Sequence, residues 1–233
     1  MGLKPVISHP WDVTPTRAVE MQNDLRSRVI VGPLETEPEI VGGIDVSVRN
    51  GHAYAAVVLL SWPDLNRVQA VSARRPATFP YIPGLLAFRE GPVVLDALEK
   101  LMEAPDALIF DAHGLAHPRR MGLATHLGVL LDHPAVGCAK SCLCGDYSAP
   151  DPTKGSWTLM AHRDEVIGAV VRTREKVKPV FVSVGHRVDL ESTVSVVLRC
   201  ASRYRLPETT RWAHRVAAGQ PPDRLASGEP SAR

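Results

Sequence analysis

The stretch IVGGIDVSVRNGHAYAAVVLLSW, residues 40–62, contains two runs rich in β-branched residues, one on either side of Asn50-Gly51. Runs of this composition predict β-strands, here over residues 40–48 and 53–62. Asn-Gly is typical of a two-residue hairpin turn, so the two strands are expected to pair antiparallel. A third strand is predicted near 67–74, and the three together form an antiparallel meander.

The segments on either side of the meander predict an alternation of helices and strands. Thr14 precedes Pro15, a favoured first residue of a helix, so a helix is expected at 15–29. The order β-β-β-α-β-α-β followed by a helix predicts an α/β protein with a ribonuclease H-like fold, in which three antiparallel strands and then parallel strands form a central mixed sheet flanked by helices. After a loop at 79–89, the expected elements are a helix at 91–102, a strand at 107–114, a helix at 122–131, a strand at 135–140, a hairpin at 157–171, a strand at 178–186, a helix from Asp189 to Cys200 and a helix at 208–217.

The composition is that of one ordinary globular domain. Of 233 residues, 45% are hydrophobic and 22% charged, which suits a single α/β domain, expected here at 1–218. Residues 219–233 are rich in Pro, Ser and charge and are expected to be a disordered tail. The formal net charge is only +2, so any phosphate-binding surface must be a local patch.

The chain shows features expected of a cytoplasmic protein. The first residues lack the apolar segment of a signal peptide, and no apolar run reaches membrane-spanning length. Three of the four cysteines, Cys138, Cys142 and Cys144, lie within seven residues, with Cys200 far along the chain. A zinc site is disfavoured because paired C-x-x-C spacing is missing, so free thiols are predicted.

Three acidic residues stand where a ribonuclease H-like sheet would bring them together. Asp45 lies in the first strand, Asp111 closes the strand LIFD, and Glu90 sits where the loop enters the next helix. Clustered carboxylates repel one another unless a cation neutralises them, and oxygen ligands suit Mg²⁺ or Mn²⁺. Two simpler interpretations remain open: Asp45 on a solvated strand face, and Glu90 in a first helical turn, complementing the helix dipole.

Five blocks of the chain resemble sequence motifs of the endonuclease V family. VGGIDVS around Asp45 looks like its first motif, FPYIPGLLAFREGP (79–92) its second, and FDAHGLAHPRRMGLATHLGVLLDHPAVGCAKSCLCG (110–145) its third. VGHRVDLE (184–191) and YRLPETTRWAHR (204–215) resemble its C-terminal region. The resemblance runs in order from about residue 15 to about residue 215, which is far more specific than one acidic motif.

The resemblance implies a DNA repair endonuclease. Such an enzyme hydrolyses the second phosphodiester bond on the 3′ side of deoxyinosine, leaves a 3′-hydroxyl and a 5′-phosphate, and requires Mg²⁺, with Mn²⁺ as a substitute. The implied partner is double- or single-stranded DNA containing deoxyinosine, with inosine in RNA as a further substrate. Neither a membrane nor an obligate protein partner is implied.

The resemblance also assigns roles to individual residues. Tyr81 resembles the family's wedge tyrosine, which replaces the stacking lost when a base leaves the duplex. His117 and Lys140 are expected to contact the scissile phosphate. Arg119 and Arg120 are expected to touch backbone phosphates or to be solvated. The implied metal-site residues are Asp45, Glu90, Asp111 and His214, and the implied substrate-binding residues are Tyr81, Pro83, Gly84, Leu86, Gly122, Leu143 and Arg119.

Two positions depart from the family pattern. Ala112 stands where many relatives carry Gly, which adds a methyl group near the metal and the base pocket. Cys142 stands where a larger basic residue is common, which removes a potential phosphate contact. Two alternative functions remain open: another ribonuclease H-like nuclease such as a junction resolvase, against which the YIPG block argues, and a non-catalytic binder of damaged nucleic acid, against which the three acids argue.

Overall fold

The computed structural model describes residues 2–221. Its helices and strands follow one another in the order predicted from the sequence, with one additional short strand, β6. The elements are α1 (Pro15–Arg26), β1 (Ile40–Arg49), β2 (His52–Ser61), β3 (Arg67–Pro76), α2 (Leu86–Leu98), β4 (Ala107–Phe110), α3 (Leu123–Leu131), β5 (Ala135–Ala139), β6 (Asp146–Tyr147), β7 (Trp157–His162), β8 (Glu165–Val171), β9 (Val180–His186), α4 (Leu190–Cys200) and α5 (Glu208–Ala217).

The strands form one mixed sheet in the order β3-β2-β1-β4-β5-β9-β8-β7-β6. The Asn50-Gly51 turn joins β1 and β2 as an antiparallel hairpin, as predicted, and β3 pairs with β2 to complete the meander. β4 lies parallel to β1, and β5 lies parallel to β4. The predicted ribonuclease H-like arrangement is therefore confirmed, and β9, β8, β7 and β6 extend it as antiparallel strands.

Helices cover both faces of the sheet, and strand alternation decides which side chain meets which layer. On β1, Ile44 packs into the core beneath α2 and α3, whereas Val41 packs into the core beneath α4 and α5. Asp45 shares the α5 side of the strand with Gly43, two residues away. The first acidic residue of the candidate site is thus aimed at the layer that contains α5.

Helix α2 begins at Leu86, so the predicted loop at 79–89 and helix start at 91 were wrong. Pro92 lies inside the helix rather than in its first turn. The first turn forms because Ala87 and Phe88 are buried, at 1% and 2% exposure, and Phe88 packs against Trp11 and Phe79. Tertiary packing here overrides the local tendency of Gly91-Pro92 to start a helix.

Smaller differences lie at the ends of other elements. Helix α1 ends at Arg26 rather than at 29, and β4 ends at Phe110 rather than at 114. The cap predicted at Asp189 is present, with its side chain accepting a hydrogen bond from Ser192 N. Within residues 2–221, no helix combines the length and apolar character needed to cross a bilayer.

The predicted tail falls mostly outside the described residues, at 222–233. Its first two residues are held by helix α5: Gly219 N donates to Val216 O, and Gln220 N donates to Arg215 O.

Candidate functional site

Two aspartates lie side by side on the central strands of the sheet. Ile44 pairs with Phe110, and the backbone N–H of Asp111 donates to Ile44 O over 3.0 Å. Asp45 and Asp111 each follow one of these paired residues, so their carboxylates are neighbours. Their side chains are only 10% and 5% exposed. Burial and the neighbouring charge of Asp111 raise the pKa of Asp45 above its usual range, because two desolvated like charges disfavour ionisation. The interpretation of Asp45 as a solvated strand residue is therefore wrong.

Two basic side chains lie against the paired carboxylates. Lys140, directly after β5, forms an ion pair with Asp111 Oδ2, and His214 on α5 approaches Asp45 Oδ2 through Nδ1 over 2.7 Å. Helix α5 comes this close because Gly43 has no side chain: a Cβ there would lie 2.2 Å from the Thr209 carbonyl carbon. The glycine in GIDVS thus permits the approach that brings His214 to Asp45.

Glu90 lies in the second turn of α2, within electrostatic reach of both aspartates. No acidic residue occupies the first turn of this helix, so the interpretation of Glu90 as a first-turn complement to the helix dipole is wrong. Burial raises the pKa of Glu90 to about 8, with the charges of Asp45 and Asp111 acting in the same direction. A carboxyl group in this environment favours the protonated form unless a cation arrives nearby.

The chemistry of these side chains fits a hard divalent cation. Within residues 2–221, no three His, Cys, Asp or Glu side chains stand together in a ligating arrangement. However, Asp111 Oδ2 is buried, and the Lys140 ammonium contacts it as an ion pair, so a positive charge is already drawn to this carboxylate. Two neighbouring carboxyl groups with raised pKa values, Asp45 and Glu90, offer hard oxygen donors whose ionised forms a divalent cation would stabilise.

A cavity of about 210 Å³ opens beside the acidic residues. His113 and Ser141 connect the two features, because His113 lies two residues after Asp111 and Ser141 directly follows Lys140, and both line the cavity. All but one of the substrate-binding residues expected from the sequence line it as well: Tyr81, Pro83, Gly84, Leu86, Gly122 and Leu143.

Large side chains stand exposed at this cavity. Tyr81 is 71% exposed and Leu143 is 40% exposed. Tyr81 is therefore not a core residue. An exposed aromatic ring beside a cavity is suited to stacking against bases.

The basic residues after His117 are placed differently from the expectation. Arg120 is only 6% exposed, and its guanidinium donates to Glu165 and to the His162 carbonyl, so it is neither solvated nor free for phosphate. Arg119 is absent from the cavity lining, and its guanidinium donates to Gln22 and to the Gly84 carbonyl.

His117 is buried and uses both ring nitrogens inside the protein. Its Nε2 donates to Gly84 O over 2.9 Å, and its Nδ1 accepts from the backbone N–H of Arg119 over 3.1 Å. Burial, and secondarily the charge of Arg119, lower the pKa of His117 to about 4. In this arrangement both ring nitrogens of His117 have partners within the protein, and its expected phosphate contact stays a prediction.

The four cysteines and Ala112 occupy ordinary packing positions. Ala112 and Cys142 are the two residues that depart from the family pattern. Cys138, Cys142, Cys144 and Cys200 are all free thiols, as predicted, and Cys138 and Cys200 are buried. Cys142 Sγ lies 3.9 Å from Met160 Sδ, and Ala112 is buried in the core beneath α2 and α3.

Gln22 is a site residue that sequence reasoning missed. It is fully buried, and its amide contacts Gly84, Met121 and Arg119. These partners lie 62 to 99 positions away in the chain, so no local pattern could have identified it.

The family model for endonuclease V matches residues 23–215. Endonuclease V of Roseiflexus castenholzii is 49% identical over 220 residues, which is 93% of this chain and 97% of that protein.

Solved structures are also similar to this chain. The crystal structure of endonuclease V from Streptomyces avermitilis has a TM-score of 0.86 and 40% identity, covering 94% of this chain and 96% of that one. Ciona intestinalis endonuclease V, in complex with DNA containing an inosine followed by a ribo-adenosine, has a TM-score of 0.76 and 27% identity, covering 88% and 97%. This family consists of metal-dependent nucleases, which hydrolyse phosphodiester bonds. The chain, with its aspartate pair beside a cavity, belongs to the endonuclease V family.

Proposed function

We propose that this enzyme nicks the second phosphodiester bond 3′ to deoxyinosine in DNA, leaving a 3′-hydroxyl and a 5′-phosphate. The observation that carries the proposal is a cavity of about 210 Å³ whose lining includes His113, two residues after the buried Asp111, and Ser141, next to Lys140. The cavity can take one extruded purine while the adjacent backbone reaches the carboxylates. The Ciona intestinalis relative, which binds inosine-containing DNA, supports this substrate.

The start of helix α2 supplies the means to distinguish hypoxanthine from adenine. No side chain caps this helix, and Leu86 and Ala87, its first two residues, line the cavity. Uncapped N–H groups at a helix start need an acceptor. The O6 of hypoxanthine is an acceptor, whereas adenine presents an amino donor at that position, so adenine leaves these groups unpaired.

The acidic residues would hold the metal ion. Asp45 and Asp111 are its direct ligands in this proposal, with Glu90 contributing directly or through water and His214 adjoining the site. The ion is Mg²⁺, which Mn²⁺ can replace, because all three carboxylates offer hard oxygen donors. When bound, it supplies the positive charge that polarises a phosphate oxygen and acidifies a water molecule.

The side chains around the acids position the phosphate and the proton. The Lys140 side chain is 45% exposed, so its ammonium can move from Asp111 to a phosphate oxygen. His214 directs Nδ1 at the Asp45 carboxylate, which fixes the neutral ring as the Nδ1–H form and leaves Nε2 as an acceptor. With a side chain that is 57% exposed, His214 can receive a proton from a nearby water.

Tyr81 acts as the wedge in this proposal. Its exposed ring occupies the space that the extruded base leaves and so keeps the duplex open. RNA containing inosine is included as a second substrate. We further propose a single domain over 1–218, acting in the cytoplasm without an obligate protein partner.

A labelled duplex with one deoxyinosine tests the proposal. Nicking one nucleotide beyond the inosine on its 3′ side, with Mg²⁺ and not with EDTA, is the expected result, and an undamaged duplex should be nicked far more slowly. Asp45→Asn should abolish nicking, whereas Asp64→Asn, the same change in an exposed loop, should not. Tight inosine binding without nicking would instead indicate a non-catalytic binder. An inosine-containing RNA in parallel ranks the two substrates.

A further inference from the structure

A buried amide on helix α1 connects the two walls of the cavity. Gln22 is 0% exposed, and its Nε2 donates to Gly84 O and to Met121 O, each over 3.0 Å. Gly84 lies in the loop before α2, and Met121 lies in the loop before α3. Both residues line the cavity. Because a buried amide is costly unless its hydrogen bonds are made, Gln22 holds these two loops at a fixed separation.

Arg119 completes the arrangement from the solvent side. Its Nε donates to Gln22 Oε1 over 2.6 Å, and its Nη2 donates to Gly84 O over 2.7 Å. Within residues 2–221, Arg119 forms no ion pair with a carboxylate. A guanidinium whose pKa is lowered by burial thus has two neutral oxygens as its partners. These charge-assisted bonds orient the Gln22 amide and hold the Gly84 peptide.

Among residues 2–221, three donors reach the Gly84 carbonyl: Gln22 Nε2, Arg119 Nη2 and His117 Nε2 at 2.9 Å. A carbonyl oxygen has two lone pairs, so this oxygen has no capacity left to accept from a bound base. Its role is to anchor the loop that carries Tyr81, three residues earlier.

We propose that Gln22 and Arg119 form a positioning pair that sets the width of the base cavity and the placement of Tyr81, and thereby determines the preference for inosine over an undamaged base. The inference rests on the proposed function and deepens it. Neither residue lines the cavity, so both act through Gly84 and Met121. The loss on substitution should therefore fall on KM and on inosine preference more than on kcat.

Gln22→Met is the main test, because it keeps the length of the side chain and removes the hydrogen bonds. Kinetic constants are measured on inosine-containing and undamaged duplexes with Mg²⁺. We expect kcat/KM for the inosine-containing duplex, divided by kcat/KM for the undamaged duplex, to fall roughly tenfold or more, because the carbonyls of Gly84 and Met121 each lose a donor. Gln69→Met makes the same change on strand β3, away from the cavity, and should leave the ratio as in the wild type.

Two further variants separate positioning from packing. Arg119→Lys keeps the charge but cannot make both bonds, and a smaller fall in inosine preference is expected. Gln22→Glu keeps an oxygen that can accept from Arg119, but it replaces the Nε2 donor with a second oxygen, which is repelled by the carbonyl oxygens of Gly84 and Met121. This variant should lower the preference for inosine at least as far as Gln22→Met. Should Gln22→Met fail to fold, Arg119→Lys carries the test.

The outcomes separate a failure of the positioning pair from a failure of the proposed nicking activity. A wild-type enzyme that prefers inosine, with Gln22→Met and Arg119→Lys retaining the full preference, would overturn the positioning pair and leave the function standing. A fall in thermal stability without any change in preference would likewise reduce Gln22 to a packing residue. A wild-type enzyme that does not nick inosine-containing DNA would overturn both.

Discussion

Substituting Gly43 with alanine should separate helix α5 from strand β1 and disturb the site without altering any acidic residue. The new Cβ would lie 2.2 Å from the Thr209 carbonyl carbon and 2.3 Å from its oxygen. Both are backbone atoms, so no rotamer change can relieve the contact. Ordinary van der Waals contact begins at 3.4 Å, so the helix must retreat by about 1.2 Å, the difference between 3.4 and 2.2 Å.

That movement is large enough to change the chemistry of the site. His214 lies five residues after Thr209 on the same rigid helix, and its Nδ1 is 2.7 Å from Asp45 Oδ2. A retreat of this size would take the pair beyond hydrogen-bonding distance. Overpacking of this kind costs about 1–3 kcal/mol, offset by the roughly 0.4–1 kcal/mol that replacing Gly gains through the unfolded state. The melting temperature should fall by several degrees.

Thermal unfolding and single-turnover nicking of inosine-containing DNA test this reasoning together. Gly32→Ala is the matched control, because a Cβ at Gly32 meets nothing within 4 Å. The loss of rate in Gly43→Ala should match that in His214→Ala, and the double variant should be no worse than either. A Gly43→Ala enzyme with wild-type stability and rate would refute the proposed contact. Additive losses would show that Gly43 does not act through His214.

Three further perturbations probe the acids and the wedge. Asp45→Asn should lower the nicking rate by at least roughly a thousandfold while inosine binding in EDTA persists, and substantial residual nicking would remove Asp45 from the metal site. Tyr81→Ala should lower inosine preference by roughly tenfold or more whereas Tyr81→Phe should retain it, and equal effects would argue against stacking. Because the folded pKa of Glu90 is raised from 4.5 to about 8, the stability that is fully present below pH 4.5 should be lost in EDTA as pH rises to about 8, and Glu90→Gln should flatten that decline. His113 and His117, whose pKa values are lowered from 6.5 to about 4, raise stability with pH below 6.5, so the part of the decline between pH 6.5 and 8 is free of them. A decline in that range that Glu90→Gln leaves unchanged would assign it to another group.

The parts of the site that strands carry could be predicted from the sequence. Asp45 and Asp111 are placed by β-branched runs whose alternation and length are local properties of the chain. Once β1 and β4 are parallel neighbours, the register places one acid beside the other. The Asn50-Gly51 hairpin fixes the first strand in the same local way.

The start of helix α2 could not be predicted because its cause is not local. The segment from Pro83 to Pro92 contains residues that usually interrupt helices, and local rules therefore extend the loop. The helix nevertheless starts at Leu86, since burying Phe88 against Trp11 outweighs those tendencies. This shift matters for function, because it places uncapped N–H groups at the cavity and moves Glu90 out of the first turn.

The loop residues show most clearly where prediction from motifs ends. A motif identifies HPRR as a basic cluster, but it does not say in which direction each side chain points. Arg120, with a positive φ of 58°, turns inward to Glu165, and Arg119 turns towards Gln22. Both directions depend on acceptors contributed by distant parts of the chain, which only the folded structure brings near.

The site therefore divides into two parts with different responses to substitution. The two aspartates, Asp45 and Asp111, are held by strand pairing, so replacing either carboxylate removes chemistry while its backbone stays in place. The two loops that form the cavity walls, which carry Gly84 and Met121, are connected to each other through hydrogen bonds to Gln22 and Arg119. A change in one of these loops is therefore transmitted to the other. Rate should accordingly follow the strand residues and selectivity the loop network. The two properties can then be altered separately, because no hydrogen bond or ion pair among the described residues joins Gln22 to the acids.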